Sequence, residues 1–319
     1  MARRLRLIAS LALFALGACI FLYPSLSSWL SQREAYQVID SALRASGDGA
    51  PTVTDAPAAP ADAAGRVLRP KDGDPAYAYL TDYNAQVADG TAGPINDPWG
   101  AGSDKDALSD VGLPDGLLGS VTVPKLGVTL PLYLGSTAEN MARGATVVAG
   151  TSAPLGQPDS NCVIAAHRSR QTGLVMFRDI ESLQPGDEVS LETPWDTLSY
   201  RVAETRIVWP DDTEAVTVQP GRDLVTLLTC HPYGYTSQRY LVTCERAADE
   251  GVTHEGEGLF ATLTRPLTDV FEASDSDLLV AERWLRVVGF VLMAGMAVWG
   301  ARALASFSKK QRPQHIRRS

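Results

Sequence analysis

Cysteine and histidine can carry thiol and imidazole chemistry, and the chain has four of each. Cys230 ends the strand-like run 225–229 and precedes a turn sequence, so its sulfur is expected at the rim of a sheet. His167 likewise ends the apolar run 162–166, beside a polar loop. A thiolate is a strong nucleophile, and an imidazole can take up its proton and later protonate a leaving amine. This pair predicts acyl transfer through a thioester.

Arg239 opens the strand-like run that follows Cys230 along the chain. The tetrahedral intermediate of acyl transfer carries negative charge on oxygen, and a fixed guanidinium stabilises that charge through charge-assisted hydrogen bonds. We therefore predict Cys230 as the nucleophile, His167 as its proton-transfer partner and Arg239 as the oxyanion stabiliser. Taken singly, each of these residue types is more often structural. Their combination in one pattern favours the catalytic interpretation.

His231 is a rival base because it adjoins Cys230. Neighbours along an extended chain point to opposite faces, so the imidazole of His231 is expected to face away from the sulfur. We therefore prefer His167 as the base and regard His231 as a candidate residue of the substrate loop.

The remaining cysteines and histidines are interpreted from their surroundings. Cys162 and Cys244 each lie five residues from a predicted catalytic residue, on strands expected to leave the same rim. They are either joined by a disulfide in an oxidising exterior or are two small buried residues. His254 and His315 have no partner at the spacing of metal ligands, so no metal site is predicted.

Short β-type runs fill the middle of the chain and are separated by turn signals rich in proline and glycine. Their spacing suits an antiparallel or mixed barrel better than alternating βαβ units. The fold class is therefore mainly β, with short helices around an eight-stranded barrel. The predicted strands are 119–123, 128–134, 145–149, 162–166, 188–192, 198–208, 225–229 and 239–244.

Two apolar segments, 5–22 and 284–305, are each long enough to span a bilayer and are flanked by basic residues on their terminal sides. Basic residues beside a span tend to stay in the cytoplasm, so both termini are expected inside and the middle of the chain outside. The first segment also resembles a cleaved signal peptide. We favour an uncleaved anchor because the apolar run continues through Phe21, Leu22 and Tyr23.

The charge balance argues against one class of partner. The chain has 37 acidic and 28 basic residues, a formal net charge of −9, and many of the basic residues lie at its two ends. The middle is therefore strongly acidic. Nucleic-acid binding needs a basic surface that matches the phosphates, so this class of function is excluded.

The stretch TLLTCHPYGYTSQRYLV, residues 226–242, resembles the sortase signature, in which an arginine follows the cysteine by nine residues. The Cys-x-Pro-Tyr-Gly pattern and the sequence VIAAHRS around His167 are similar to the pilus-assembling class C sortases. Departures from that class bear on substrate preference. They are His231 in place of threonine, Thr236 and Ser237 in place of an Asn-Thr pair, and Ala166 and Ser169 in place of glycines.

The resemblance covers roughly residues 119–246 and implies a sortase-type barrel with an N-terminal helical and lid extension and two terminal transmembrane helices. In class C sortases an Asp-Pro-aromatic triplet covers the active site, and here this triplet maps onto Asp97, Pro98 and Trp99. Asp97 is then expected to pair with Arg239 while Trp99 covers the Cys230 sulfur.

The resemblance and the apolar segments together give six predicted regions. These are a cytoplasmic N-terminus with a signal-anchor span (1–31), an extracytoplasmic helical extension with linker and lid loop (32–115), the barrel domain (116–250), a juxtamembrane segment (251–282), a C-terminal transmembrane helix (283–305) and a basic cytoplasmic tail (306–319).

The function implied by the resemblance is cleavage of an LPxTG-like sorting signal on a secreted pilin, through a thioester on Cys230. The acyl group then passes to a pilin lysine, without a cofactor, at the surface of the cell membrane. Three alternatives stay open. A housekeeping sortase would use a lipid-linked peptidoglycan amine, a silent module would only bind sorting signals, and a cysteine protease would hydrolyse the thioester.

Overall fold

A computed structural model of the chain describes residues 2–48, 68–99, 113, 116–168, 174–247 and 277–310. The chain divides into two compact units. Among the described residues, one unit contains the chain up to Ser27 together with the C-terminal helix, and the other contains the barrel and the segments packed on it, beginning at Ser28.

Four α-helices lie within the described residues: α1 (Ala2–Asp48), α2 (Pro75–Ala88), α3 (Ala138–Arg143) and α4 (Asp277–Lys310). The start of α2 is set by Asp74, whose side chain accepts hydrogen bonds from the backbone N–H groups of Ala76 and Tyr77 at 2.9 and 3.1 Å. Pro75 suits the first helical position because it has no N–H group to leave unsatisfied there. This helix leads the chain towards the Asp-Pro-Trp triplet.

Eight strands form a closed barrel in the order β1-β2-β3-β4-β7-β8-β6-β5, and pairing of β1 with β5 closes it. The predicted mainly β class and strand number are confirmed, with small differences at the strand ends. The strands are β1 (Leu117–Val123), β2 (Val128–Leu134), β3 (Ala145–Val147), β4 (Ser160–Ala165), β5 (Glu188–Glu192), β6 (Thr197–Val208), β7 (Asp223–His231) and β8 (Gln238–Arg246).

The alternation of side chains along the strands produces two apolar clusters. The larger one, the inner cluster, fills the barrel and includes Leu130, Ile164 and Leu227, all fully buried. The smaller one, the outer cluster, covers the outside of β4, β7 and β8 and includes Val163, Leu228 and Leu241. Ile95 and Trp99 pack against the outer cluster. The segment that carries the Asp-Pro-Trp triplet is therefore held on the outer face of the sheet.

The second half of α1 packs on the barrel within the unit that begins at Ser28. The Gln32 side chain donates a hydrogen bond to the Thr129 carbonyl at 2.7 Å, and the Tyr36 hydroxyl lies 3.0 Å from the Thr129 hydroxyl. Ala35 and Ile39 are buried on the same side of the helix. This part of α1 is joined to β2 by the two polar contacts and buries apolar side chains beside them.

Two helical stretches have the length and composition needed to cross a membrane, Phe14–Ser41 and Val280–Gly300. The second agrees closely with the predicted segment 284–305. The first is shifted from the predicted segment 5–22, and its later residues are the ones that contact the barrel. Within the other unit, the Phe21 and Phe290 rings meet edge to face, with centroids 5.1 Å apart.

Gly119 lies in close contact with the backbone of β5 in the barrel wall. The register between β1 and β2 shifts between Leu117 and Gly119, and a Cβ atom at Gly119 would overlap the Glu192 carbonyl of β5. The atom in the way is backbone, so it cannot turn aside as a side chain would. Closure of the barrel at this seam therefore requires glycine.

We expect Gly119→Ala to lower the free energy of unfolding by about 3 kcal/mol, as for severe overpacking of a core. The measurement is denaturant unfolding of the detergent-solubilised protein. Gly186→Ala is the matched control, because a Cβ there meets no atom within 4 Å and only its left-handed backbone (φ 96°) is strained. That strain costs roughly 1 kcal/mol. Equal losses in the two variants would contradict the steric explanation.

Candidate active site

The three predicted catalytic residues lie on adjacent strands at one rim of the barrel. β4 and β7 are parallel neighbours, paired through Ala165 and Leu228, and each of these residues is followed two positions later by a predicted catalytic residue, His167 and Cys230. Parallel strands leave a sheet at the same edge, which brings the two together. On the other side of β7, Cys230 is directly opposite Arg239 of β8.

Arg239 is bound by the carboxylate of Asp97 in a bidentate ion pair. Its Nε donates to Asp97 Oδ1 at 2.7 Å and its Nη2 donates to Asp97 Oδ2 at 2.8 Å. Its Nη1 donates to the backbone carbonyls of Thr236 and Gln238, both at 2.8 Å. Charge-assisted forks of this kind fix the plane of the guanidinium. The predicted oxyanion stabiliser is thus rigidly held and, in this arrangement, occupied by a carboxylate.

Trp99 lies between the side chains of His167 and Arg239. Its indole N–H donates to His167 Nδ1 at 3.4 Å, and its ring centroid is 4.8 Å from the Arg239 Cζ atom. Because indole can only donate, this contact requires an Nδ1 without a proton, as in one neutral tautomer of the imidazole. The triplet therefore contacts both predicted partners of the nucleophile, and Pro98 between its two ends is buried.

Burial and nearby charges set the protonation of the site. Burial raises the pKa of the Cys230 thiol to about 11, with Arg239 and Arg168 lowering it and Asp97 raising it. Burial also lowers the pKa of the His167 imidazole. At neutral pH the covered site therefore holds a thiol and a neutral imidazole, the less reactive of the two possible protonation states.

A narrow pocket beside Arg239 continues the site along the outer face of the sheet. Its apolar wall consists of Val163, Leu228 and Leu241 from the outer cluster, and Trp209 stands at its edge with 62% of its surface exposed. Pro98 of the triplet also lines this pocket. The triplet therefore forms one side of an apolar pocket.

His231 is placed differently from the sequence prediction. It does face away from the outer face that carries Cys230, as predicted, but it ends β7 and is buried, so it is not an exposed loop residue. Its Nδ1 lies 3.1 Å from Glu181 Oε1 and 3.2 Å from Arg168 Nη1. Neither Arg168 nor Glu181 was predicted as a site residue from the sequence. The sequence feature that could have pointed to Arg168 is its position directly after His167.

Cys162 and Cys244 are both free and buried. Each is paired with Val225 of β7, one from either side, so a whole strand lies between them. Two inter-strand spacings put their Cα atoms roughly 10 Å apart, beyond the reach of a disulfide. The structure thus corresponds to the second alternative, two small buried residues. Burial raises the pKa of both thiols, further for Cys162 through the charge of Asp223.

Among the residues that the structure describes, no cluster of three or more histidine, cysteine, aspartate or glutamate side chains is arranged to hold a metal ion. His254 and His315 lie outside those residues.

Comparison with known proteins identifies the family. Residues 121–247 match the sortase domain. The solved structure of Streptococcus agalactiae sortase C1 in complex with MTSET is 30% identical to this chain with a TM-score of 0.51, and the match covers 56% of this chain and 90% of that one. The chain belongs to the sortase family. The likeness of this sortase to a sortase C agrees with the class C resemblance of its sequence motifs.

Two curated relatives extend the comparison. Sortase D of Bacillus subtilis is 29% identical over 131 residues, which are 40% of this chain and 63% of the relative. Sortase A of Bacillus anthracis is 32% identical over 126 residues, which are 40% of this chain and 58% of the relative. This sortase therefore spans less than two thirds of the length of these relatives.

Removal of the Asp97 charge should make the Cys230 thiol more reactive. Asp97→Asn removes one cause of the raised pKa of the Cys230 thiol and frees the Arg239 guanidinium. The pKa of this thiol should therefore fall. In chains that also carry Trp99→Ala, so that the reagent reaches the sulfur, we expect the rate of Cys230 alkylation by iodoacetamide near pH 8 to rise about tenfold, as one pKa unit implies. The measurement is peptide mass spectrometry.

Asp196→Asn provides the control for the Asp97 variant, because Asp196 forms a largely exposed ion pair with Lys71 between β5 and β6. In the same background, its alkylation rate should equal that of Trp99→Ala alone. A rate for Asp97→Asn no higher than that of the control would contradict the proposed coupling between the triplet and the thiol.

Proposed function

We propose that this chain is a cysteine transpeptidase of the pilus-assembling, class C type. Cys230 cleaves the Thr–Gly bond of an LPxTG-like sorting signal and forms a thioester, and the amine of a pilin lysine then resolves it. The observation that carries this proposal is the convergence of Cys230, His167 and Arg239 at one barrel rim, beneath a single loop.

In the first half of the reaction, His167 takes the proton of Cys230 as the sulfur attacks the threonine carbonyl carbon. Negative charge develops on the carbonyl oxygen, and Arg239 stabilises it through the donors that now bind Asp97. Collapse of this intermediate breaks the Thr–Gly bond. The departing glycine amine receives its proton from His167, which leaves the threonine acyl group as a thioester on Cys230.

In the second half, a lysine amine of another pilin subunit attacks the thioester carbon. His167 takes a proton from this amine, and Arg239 again stabilises the oxyanion. The carbon–sulfur bond breaks, an isopeptide bond joins the two subunits, and Cys230 regains its proton. No electron leaves or enters the system, so the side chains at the rim are sufficient and no cofactor is required.

The Asp-Pro-Trp triplet acts as a lid in this proposal. It occupies Arg239, hydrogen-bonds His167 and lines the apolar pocket, so a sorting signal and the triplet compete for the same three contacts. Closure excludes water from a thiol that would otherwise be exposed to oxidation and side reactions. Substrate binding must therefore displace the lid before chemistry starts.

The proposed location is the cell membrane, with both termini in the cytoplasm and the catalytic domain, 116–250, outside. The two apolar helical stretches support this arrangement by length and composition. The basic residues before the first and after the second stretch support the orientation. The N-terminal span (1–31), the extension with linker and lid (32–115), the juxtamembrane segment (251–282), the second span (283–305) and the tail (306–319) complete the proposed organisation.

The test of the chemistry is intact-mass spectrometry of the full chain in detergent, incubated with a peptide that contains LPxTG, with and without a pilin-derived lysine peptide. We expect a thioester adduct that Cys230→Ala abolishes. Trp99→Ala should accumulate this adduct at least about tenfold faster than the unmodified chain, because one contact of the lid with His167 is removed. Transfer of the adduct to the lysine peptide is expected to follow.

Other outcomes of this experiment support the alternatives. Transfer to a peptidoglycan-type amine but not to lysine would indicate a housekeeping sortase. Release of the acyl group by water at the same rate with and without amines would indicate a protease. Absence of any adduct even in Trp99→Ala would indicate a module that only binds sorting signals. Cys162→Ala is the matched control, since this thiol is buried away from the rim and its loss should leave the adduct unchanged.

The topology is tested by epitope tags on the chain in intact and permeabilised cells. A tag at either terminus should bind antibody only after permeabilisation, because the flanking arginines and lysines hold both ends in the cytoplasm. A tag inserted in the exposed turn at Gly221 should bind antibody in both conditions. A terminal tag accessible in intact cells would contradict the proposed orientation.

A further inference from the structure

The residues that directly follow His167 and Cys230 contact one another. The Nη1 atom of Arg168 lies 3.2 Å from the Nδ1 atom of His231 and donates to the Cys230 carbonyl at 3.5 Å. Neighbouring residues on an extended strand point to opposite faces, so this contact lies on the inner side of the rim, away from the lid. The ring of Tyr240, part of the inner cluster, lies beside His231 with centroids 5.7 Å apart.

Glu181 lies within ion-pair distance of both members of this pair. Its Oε1 atom lies 2.6 Å from Arg168 Nη2 and 3.1 Å from His231 Nδ1. The side chains of Arg168 and Glu181 are almost fully buried, with 3% and 4% of their surfaces exposed. We call Arg168, Glu181 and His231 the rim clamp. It joins the end of β4, the end of β7 and the short 3-10 helix Ile180–Ser182.

Stability alone does not account for the rim clamp. Removal of two charges from water costs several kcal/mol, and well-packed apolar residues often stabilise a protein as well as a buried ion pair does. Once the charges are buried, however, loss of one partner leaves the other charge uncompensated, which is costly. The three side chains are therefore strongly held in the one arrangement that keeps the charges paired. A buried ion pair is therefore better suited to fixing a geometry than to adding stability.

We propose that the rim clamp is a positioning unit that sets the separation between the Cys230 sulfur and the His167 imidazole. This inference rests on the catalytic roles proposed above for those two residues. Arg168 is one peptide bond from His167 and is hydrogen-bonded to the backbone of Cys230 itself. Neither strand end can shift relative to the other without breaking a contact to this guanidinium. Misplacement of reacting groups by about 1 Å can reduce a rate about a hundredfold.

The inference is testable because a positioning role and a purely electrostatic role of Glu181 predict opposite changes in the reactivity of Cys230 when Glu181 is neutralised. Removal of a nearby negative charge by itself favours the thiolate of Cys230 and speeds its reactions. Loss of positioning separates the thiol from the imidazole that assists its ionisation and slows them. Glu181→Gln keeps the size of the side chain. The direction in which it changes the rate of Cys230 alkylation therefore distinguishes the two effects.

The experiment is alkylation of Cys230 by iodoacetamide as a function of pH, followed by peptide mass spectrometry on the full chain in detergent. All variants also carry Trp99→Ala, so that the reagent reaches the sulfur. We expect Glu181→Gln to lower the rate near pH 7 about tenfold and to move the midpoint of the pH profile upwards by about one unit. An unchanged or faster rate would overturn the proposal.

Matched variants separate positioning from general destabilisation. Arg246→Met removes an arginine bound to Asp223 at the other end of β8, so it should lower the melting temperature without moving the pH profile. Arg168→Met should move the profile upwards. If both variants moved it equally, the effect would not belong to the rim clamp and the proposal would fail.

A neutral pair of variants covers the case in which Glu181→Gln does not fold. His231→Asn keeps a hydrogen-bonding group near the position of Nδ1, whereas His231→Val has a similar size and keeps none. Neither variant carries a charge, so a field effect cannot separate them. We expect the asparagine variant to retain at least about half of the alkylation rate and the valine variant to lose about tenfold, one pKa unit being a factor of ten. Equal rates would overturn the inference.

The readout also keeps this inference distinct from the proposed function. Alkylation requires no sorting signal, so it reports the placement of Cys230 even in a chain that transfers nothing. If no thioester forms but the rim clamp variants change the alkylation rate as expected, the transpeptidase is rejected and the positioning unit is retained. If the thioester forms but those variants leave the alkylation rate unchanged, the positioning unit is rejected and the transpeptidase is retained.

Discussion

The parallel pairing of β4 with β7 is the constraint on which the candidate site depends. The two strands are distant in sequence, and the chain between them builds β5 and β6 before it returns. Parallel neighbours leave a sheet at the same edge, so the residues after Ala165 and after Leu228 emerge side by side. Antiparallel pairing would have placed the imidazole and the thiol at opposite ends of the barrel. Arg239 joins them because β8 pairs with β7 in a register that sets it opposite Cys230.

In the proposed reaction, the lid and the chemistry use the same guanidinium. The two oxygens of Asp97 occupy donors of Arg239 that are proposed to bind the oxyanion. Because the ion pair is partly buried, its rupture without replacement would leave an uncompensated charge, which costs about 3–5 kcal/mol. A sorting signal can shift the equilibrium towards the open form only by the difference in its affinity for the two forms. In this proposal the apolar pocket along the outer cluster provides that difference, because the triplet forms part of its lining and a peptide can fill it only in place of the triplet.

The sequence predicted the barrel and the place of its catalytic candidates because local patterns determine both. Alternating apolar residues and turn signals define strands, and a residue at a strand end is exposed to a rim whichever strand lies beside it. The placement of Cys162 and Cys244 could not be predicted in this way, since it depends on Val225 of a third strand lying between them. The contacts of Glu181 could not be predicted either. Its partners, Arg168 and His231, are brought to it only by the parallel pairing of β4 and β7, which no local pattern reveals.

Two arginines lie close to Cys230, and each is paired with a carboxylate. The two carboxylates differ in how they are held. Arg239 is paired with Asp97, which belongs to a loop that packs on the outer face. In the proposed reaction, a peptide replaces Asp97 there. Arg168 is paired with Glu181, which is buried on the inner side among groups of the barrel itself. Both positive charges lower the pKa of the Cys230 thiol, against the larger effect of burial. In the proposed reaction, Asp97 no longer opposes these charges once the lid has left. Opening is then expected to make the sulfur more acidic and to vacate the proposed oxyanion site in the same step, while Arg168 in the proposed rim clamp keeps the strand ends in place.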